Sequence, residues 1–174
     1  DFITSPGISN LFSEIVTIWI ILYWESLGKP KNFNIVELGS GDGELMKNMI
    51  KTSKRFPNFF NNLNFYILEK SNYLKKIQKE KLNDPNLSWI ENLRNIKNYK
   101  TLFIGNEFLD AFPIKQFIKK NKIWYERNVE KQYKKNCIKD IKVDIKKYLK
   151  TVGFNFYSHE EFVEISLEQI SFLK

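Results

Sequence analysis

The stretch NIVELGSGDGELMKNMI, residues 34–50, joins an apolar run, an acid and three closely spaced glycines to a helical pattern. The run FNIVEL, residues 33–38, is apolar on both faces, as in a strand buried within a parallel sheet. Residues 43–56 then carry apolar side chains at helical spacing. The stretch therefore predicts a strand, a glycine turn and a helix.

Strands and helices alternate beyond this unit. Apolar runs predict further strands at 63–69, 87–90 and 101–107, and a helix at 71–82. This alternation favours a doubly wound parallel sheet with right-handed crossovers. Four strands are fewer than such a sheet usually has, so we expect the sheet to be incomplete in this chain.

The pattern changes after Pro113. Apolar and polar residues alternate around Asn121 and Lys122, which predicts an antiparallel hairpin. The last segment, residues 158–174, is predicted to be a helix that begins with a capping box. We expect a single domain over 1–174, with an N-terminal helical segment (1–30), a ligand-binding core (31–113) and a hairpin and helical insertion (114–174).

The most apolar window is the N-terminal one, residues 11–27. Acidic residues interrupt it and its uninterrupted part is too short to cross a bilayer, so we expect a buried helix and no membrane insertion. Trp19 and Trp24 are predicted to lie in the core. Ser5 could cap this helix at its start.

Composition limits the function classes. Lys and Arg number 28 against 20 Asp and Glu, a net charge of +8 that could indicate nucleic-acid binding. The basic residues are mostly scattered lysines, so this interpretation is not favoured. Cys137 is the single cysteine, which excludes an internal disulfide and suits a reducing, intracellular compartment. With one histidine, His159, the chain offers little for a zinc site, and neither residue is assigned chemistry.

The glycine turn contains Gly39, Gly41 and Gly43. The dinucleotide fingerprint needs a further Gly or Ala where this chain has Glu44, and the lysine of a P-loop is absent. Glu37 precedes the glycines and Asp42 lies between Gly41 and Gly43. Two acids at this turn favour a cationic ligand over a polyanion.

Glu69 ends the second predicted strand, where an acid can accept both hydroxyl groups of a ribose. An adenosine joined to a cationic group satisfies both sites, and S-adenosylmethionine is such a ligand. The alternatives are that the glycines only make a tight turn and that Glu69 caps the following helix or pairs with a lysine. Trp89 lies near the expected adenine edge, although a core position suits it better.

Three further segments identify a family resemblance: DFITSPGISNLFSE (1–14), VELGSGDGELM (36–46) and NEFLDAFPIKQF (106–117). In this order they resemble the MidA-like S-adenosylmethionine-dependent methyltransferases, which include a mitochondrial complex I assembly factor. The resemblance implies a Rossmann-like class I methyltransferase fold with a hairpin insertion after the fourth strand. It also implies methylation of a protein arginine, with a complex I subunit as the expected substrate.

The resemblance and the predicted strand ends together suggest the remaining site residues. Glu107 and Asp110 follow the fourth strand, where carboxylates could hold a guanidinium and accept its proton. Asn106 would meet the cofactor or the substrate, and Thr4 and Ser5 would lie in a loop over the cofactor. The alternative is a capped turn with Asp110 as its N-cap.

The chain also departs from the family. Gly7 stands where the family usually has Glu, and Ser40 and Asp42 replace the usual Pro and Arg. A non-catalytic assembly scaffold therefore stays as an alternative, and the charge of +8 keeps an RNA methyltransferase as another. The expected location is the mitochondrial matrix for a eukaryotic chain and the cytoplasm for a bacterial one, and a homodimer stays open.

Overall fold

The structure is a computed structural model that describes residues 10–132, 135–153 and 161–173. Its internal contacts divide the chain into two compact units, one reaching Phe108 and the other beginning at Leu109. Thr4, Ser5 and His159 lie outside the described residues.

The first unit is an α/β layer structure. Its elements are α1 (Asn10–Ser26), β1 (Phe33–Leu38), α2 (Glu44–Ser53), α3 (Pro57–Phe60), β2 (Leu63–Leu68), α4 (Asn72–Lys81), β3 (Leu87–Ile90) and β4 (Thr101–Ile104). All three strand pairs are parallel, in the order β3-β2-β1-β4. The predicted parallel α/β sheet is therefore confirmed.

Strand β1 lies inside the sheet, between β2 and β4, and it is almost entirely buried. All its residues except the last are buried, and Ile35 lies in a core cluster with Met46 and Met49 of α2 and Phe65 of β2. A strand covered on both faces must be apolar on both faces. The register sets Glu37 opposite Ile67 of β2 on one side and Ile104 of β4 on the other.

Helix α1 buries only one of its faces. Trp24 is buried, as predicted, and its ring meets Phe59 edge-on. Trp19 is 57% exposed, so its predicted core position was wrong, as was the prediction of a fully buried helix. The helix is apolar nearly all round, so periodicity could not select the face that packs. Within the described ranges, no helix combines the length and apolar character needed to cross a membrane.

The second unit is an antiparallel sheet with helices. Its elements are β5 (Lys115–Lys120), β6 (Ile123–Gln132), β7 (Lys135–Lys142), α5 (Ile145–Val152), β8 (Phe162–Ile165) and α6 (Leu167–Leu173), with strand order β7-β6-β5-β8. Its core cluster contains Phe117, Ile145, Val163 and Ile165.

The predicted hairpin is confirmed, because β5 and β6 pair directly across Asn121 and Lys122. The C-terminal prediction was partly wrong. Within the described range 161–173, residues 162–165 form β8 rather than helix, and residues 167–173 are helical. Val163 and Ile165 alternate with exposed residues and pair with Phe117 and Lys115 of β5. Local periodicity does not reveal a partner so distant in sequence.

Candidate functional site

The glycine turn follows β1 at the carboxyl edge of the parallel sheet. Gly39, Gly41 and Gly43 have φ angles of 65°, 55° and 88°, a region that other residues rarely adopt. A Cβ on Gly39 would lie 2.6 Å from Cδ2 of Phe108, and one on Gly43 would lie 3.0 Å from Cδ1 of Leu82. A Cβ on Gly41 would meet no atom within 4 Å. Packing therefore leaves no room for a side chain at Gly39 and Gly43, whereas the space beside Gly41 is open.

Glu37 lies beneath this turn and is only 3% exposed. Its Oε2 accepts a hydrogen bond of 2.6 Å from Oγ of Ser40. Burial raises the pKa of Glu37 to about 7, although the bonds from Ser40 and the backbone of Met46 oppose the rise. Ser40, where the family usually has Pro, therefore supports the buried acid directly.

Asp42 does not act as a free acid in the turn. Lys81 of α4 donates to its Oδ2 at 2.6 Å, and Lys81 also lies 3.4 Å from Glu44. Partial burial raises the pKa of Asp42, but the hydrogen bond and charge of Lys81 and the hydrogen bonds from the backbone of Glu44 and of Asp42 itself together lower the pKa overall. The expectation that Asp42 adds negative charge for a cationic ligand is therefore weakened, and Glu37 and Glu69 remain as the acids of this edge.

Glu69 follows β2 and is 8% exposed. Its Oε1 accepts the backbone N–H of Ser71 at 2.8 Å, at the start of α4, and its Oε2 accepts Nε2 of Gln78 at 3.3 Å. The N-cap of α4 is Ser71, whose Oγ accepts the backbone N–H of Leu74, so Glu69 holds the capping residue rather than capping the helix itself. Gly39 N–H donates to the carbonyl of Leu68, which brings the glycine turn beside Glu69.

Gln78 is the residue that the sequence analysis missed. It is fully buried in α4, and its Nε2 also donates to the carbonyl oxygen of Gly41 at 2.8 Å. Its Oε1 accepts the indole N–H of Trp89 at 2.9 Å. A glutamine in a lysine-rich amphipathic helix is usually expected to face solvent, so the sequence carried no signal for this network.

The segment after β4 reaches the same edge of the sheet. Gly105 opposes Leu38, and the Phe108 ring packs over Gly39. Between them, Asn106 is half-buried and Glu107 is exposed, with a φ of 54° that is strained for a glutamate. The structure thus places these two predicted residues in a segment that packs on the glycine turn.

Asp110 belongs to the second unit, in a 3-10 turn at Leu109–Ala111. It is exposed and lies inside that turn rather than at its N-cap. Thr4 and Ser5, the remaining predicted site residues, are outside the described ranges. In the described part of the chain, no three His, Cys, Asp or Glu side chains cluster as metal ligands.

Residues 15–174 match a protein family model described as "Putative S-adenosyl-L-methionine-dependent methyltransferase". The chain is also similar to curated proteins named protein arginine methyltransferase NDUFAF7, mitochondrial. The Xenopus laevis protein is 28% identical over 154 residues, covering 75% of this chain and 35% of that protein. The human protein is 29% identical over 150 residues, covering 72% and 35%. The chain spans about a third of the length of these relatives.

Two solved structures from Burkholderia thailandensis resemble the fold. One, bound to S-adenosyl-homocysteine, has a TM-score of 0.74 at 21% identity, covering 99% of this chain and 45% of that chain. A native structure has a TM-score of 0.76 at 21% identity, covering 99% and 46%. Together with the parallel sheet, this likeness confirms the predicted Rossmann-like class I fold.

Proposed function

The chain belongs to the family of S-adenosyl-L-methionine-dependent methyltransferases, and from this we propose that it binds S-adenosylmethionine and methylates an arginine of a protein. The observation that carries the proposal is the open side of Gly41. A left-handed glycine with empty space where a Cβ would stand is a place for a ligand to approach the backbone closely.

The residues around Gly41 fit this cofactor. Glu37 and Glu69 are buried acids at the same sheet edge, and neither is ion-paired within the described residues. An acid after β2 suits the ribose hydroxyls, and a second acid suits the cationic amino-acid end. Thr4 and Ser5 complete the proposed binding set on the strength of the family resemblance alone.

The bound cofactor supplies a methyl group on a positively charged sulfur, which makes that carbon electrophilic. The chain must hold the attacking nitrogen in line with it, since alignment accounts for much of the rate in such displacements. We assign this task to Glu107 and Asp110, whose carboxylates would bind the guanidinium, and Glu107 would accept the proton that leaves. Asn106 would orient the substrate or the cofactor.

The finer parts of the proposal rest on relatives. Proteins named protein arginine methyltransferase support a protein substrate, and the family resemblance suggests a respiratory complex I subunit. The relatives named mitochondrial support a mitochondrial location if the chain is eukaryotic, and we propose the matrix. For a bacterial chain we propose the cytoplasm. A homodimer is a further proposal that size-exclusion chromatography with light scattering would test.

A calorimetric titration with S-adenosylhomocysteine tests cofactor binding. We expect the wild-type chain to bind and Gly41→Ala to lose at least tenfold in affinity, because its new methyl group enters the ligand's space. Gly28→Ala is the matched control, since Gly28 also has a positive φ and open space but lies at the end of α1. Failure of a folded wild-type chain to bind, or equal behaviour of both variants, would reject the proposed site.

A tritium-transfer assay tests the reaction. We expect label on an arginine-containing protein or peptide, none on RNA, and none when lysine replaces the arginine. Glu107→Gln should lower kcat by about 100-fold or more, because general-base contributions are of that order, with cofactor affinity unchanged. Glu80→Gln, an exposed glutamate on α4, should match the wild type. Label on RNA alone would favour the nucleic-acid alternative, and binding without transfer would favour the scaffold.

A further inference from the structure

Gln78 occupies an unusual place for an amide. It is the one buried residue of α4, a helix whose other side chains are exposed or half-buried. A side-chain amide has two N–H donors and one oxygen acceptor, and all three find partners here. A buried amide satisfied in this way holds its partners in fixed positions, because breaking any bond leaves a polar group unpaired.

The three partners belong to three separate segments of the sheet edge. They are Gly41 in the glycine turn, Glu69 after β2 and Trp89 in β3. Two of the three are residues assigned to the cofactor above. The amide therefore joins the open glycine to the ribose acid through one side chain.

The hydrogen bonds that Glu69 accepts make the arrangement chemically specific. An ionised carboxylate has about four lone-pair positions, two on each oxygen. The backbone of Ser71 takes one on Oε1 and Gln78 takes one on Oε2. One acceptor position thus remains on each oxygen, which is the number that two neighbouring hydroxyl groups require.

We propose that Gln78 is a positioning residue of the cofactor site, which holds the Glu69 carboxylate and the Gly41 carbonyl in the orientation that receives the ribose. The inference rests on the proposed function, since it presupposes cofactor binding at this edge. Gln78 does not touch the ligand itself. Its effect is confined to the part of the ligand that Glu69 recognises.

The test compares two ligands and three proteins by calorimetric titration. The ligands are S-adenosylhomocysteine and its analogue without the 2′-hydroxyl group, and the variants are Gln78→Met and Asn34→Leu. Asn34 is a matched control, because its buried amide also donates twice, to Lys97 O and Thr101 Oγ1, and accepts once, from Asn64. It lies near the opposite, amino-terminal end of β1.

We expect the wild-type chain to prefer S-adenosylhomocysteine over the analogue by about tenfold, the value of one hydrogen bond to a charged acceptor. Gln78→Met should weaken S-adenosylhomocysteine binding by about tenfold and reduce that preference to about twofold. Asn34→Leu should lower the Tm and keep the wild-type preference.

The outcomes separate the inference from the proposed function. If the folded wild-type chain binds neither ligand, cofactor binding and the inference both fail. If the wild-type chain binds and Gln78→Met keeps the tenfold preference, the inference alone is overturned, and Gln78 only supports packing. Should Gln78→Met not fold, nuclear magnetic resonance of the wild-type Gln78 side-chain amide replaces it. That signal should shift when S-adenosylhomocysteine is added, and an unchanged signal overturns the inference.

Discussion

At the scale of single residues, Glu37 is a buried acid that accepts a side-chain hydrogen bond from Ser40. Because burial raises its pKa from 4.5 to about 7, the folded chain keeps a proton that the unfolded chain loses between these pH values. The contribution of protonated Glu37 to the free energy of unfolding is therefore fully present below pH 4.5 and is lost as the pH rises through 7. A cationic ligand beside Glu37 would favour the ionised form and release this proton.

We predict that Glu37→Gln is more stable than the wild type at pH 8 by about 1–3 kcal/mol, the value of a shift of roughly two pKa units less the altered bond to Ser40. The difference should shrink toward pH 4.5. Urea unfolding at pH 5 and pH 8 measures it, with Glu80→Gln as an exposed control. Equal pH profiles of the Glu37 variant and the wild type would show that Glu37 ionises normally.

At the scale of elements, the turn of the β5–β6 hairpin has a strained backbone. Asn121 and Lys122 form its two-residue turn with φ angles of 49° and 65°. Such turns favour Asn followed by Gly, because a lysine side chain crowds its own backbone at positive φ.

We predict that Lys122→Gly stabilises the second unit by about 0.5–1 kcal/mol, since the relief of strain exceeds the entropy that glycine adds to the unfolded chain. Lys142→Gly, at the end of β7 where Lys142 pairs with Tyr125 of β6, should instead destabilise by a similar amount, because glycine loses more backbone freedom on folding than lysine does. Thermal unfolding followed by circular dichroism compares the two. Destabilisation by both changes would mean that the turn gains nothing from glycine.

The helices and strands also show which parts of the fold could be predicted from the sequence. The bounds of β1 were predicted without error, because a buried parallel strand is a nearly continuous apolar run that ends at turn residues. The bounds of β3, an edge strand with Ser88 exposed, also matched the prediction. The hairpin followed from alternation around a turn pair. β8 was missed, since its pairing with β5 depends on a distant partner.

The same limit applies to the site. The positions of Glu37, Glu69 and the glycines at this edge of the sheet could be predicted, because they lie at fixed offsets from strand ends. Gln78 could not, because its role depends on which way α4 faces. The ion pair between Asp42 and Lys81 was also hidden, as the two residues are 39 positions apart and meet only when α4 packs beside the turn.

At the scale of the whole molecule, each unit has its own apolar core. Phe65 is fully buried in the first and Phe117 in the second. Of the residues proposed to bind the cofactor, all that lie within the described ranges belong to the first unit, whereas Asp110, proposed for the substrate, belongs to the second. This division predicts that cofactor binding and methyl transfer respond differently to damage in the two cores.

We predict that Phe65→Ala and Phe117→Ala each lose about 3–5 kcal/mol of stability, the usual cost of emptying a fully buried phenylalanine site. Phe65→Ala should abolish binding of S-adenosylhomocysteine, because it loosens β2 and with it Glu69. Phe117→Ala should keep the wild-type affinity within about twofold while losing methyl transfer to a protein substrate. Calorimetric titration and tritium transfer on the same samples measure both effects. Loss of cofactor affinity in a Phe117→Ala protein whose parallel sheet is intact would require that residues of the second unit also hold the cofactor.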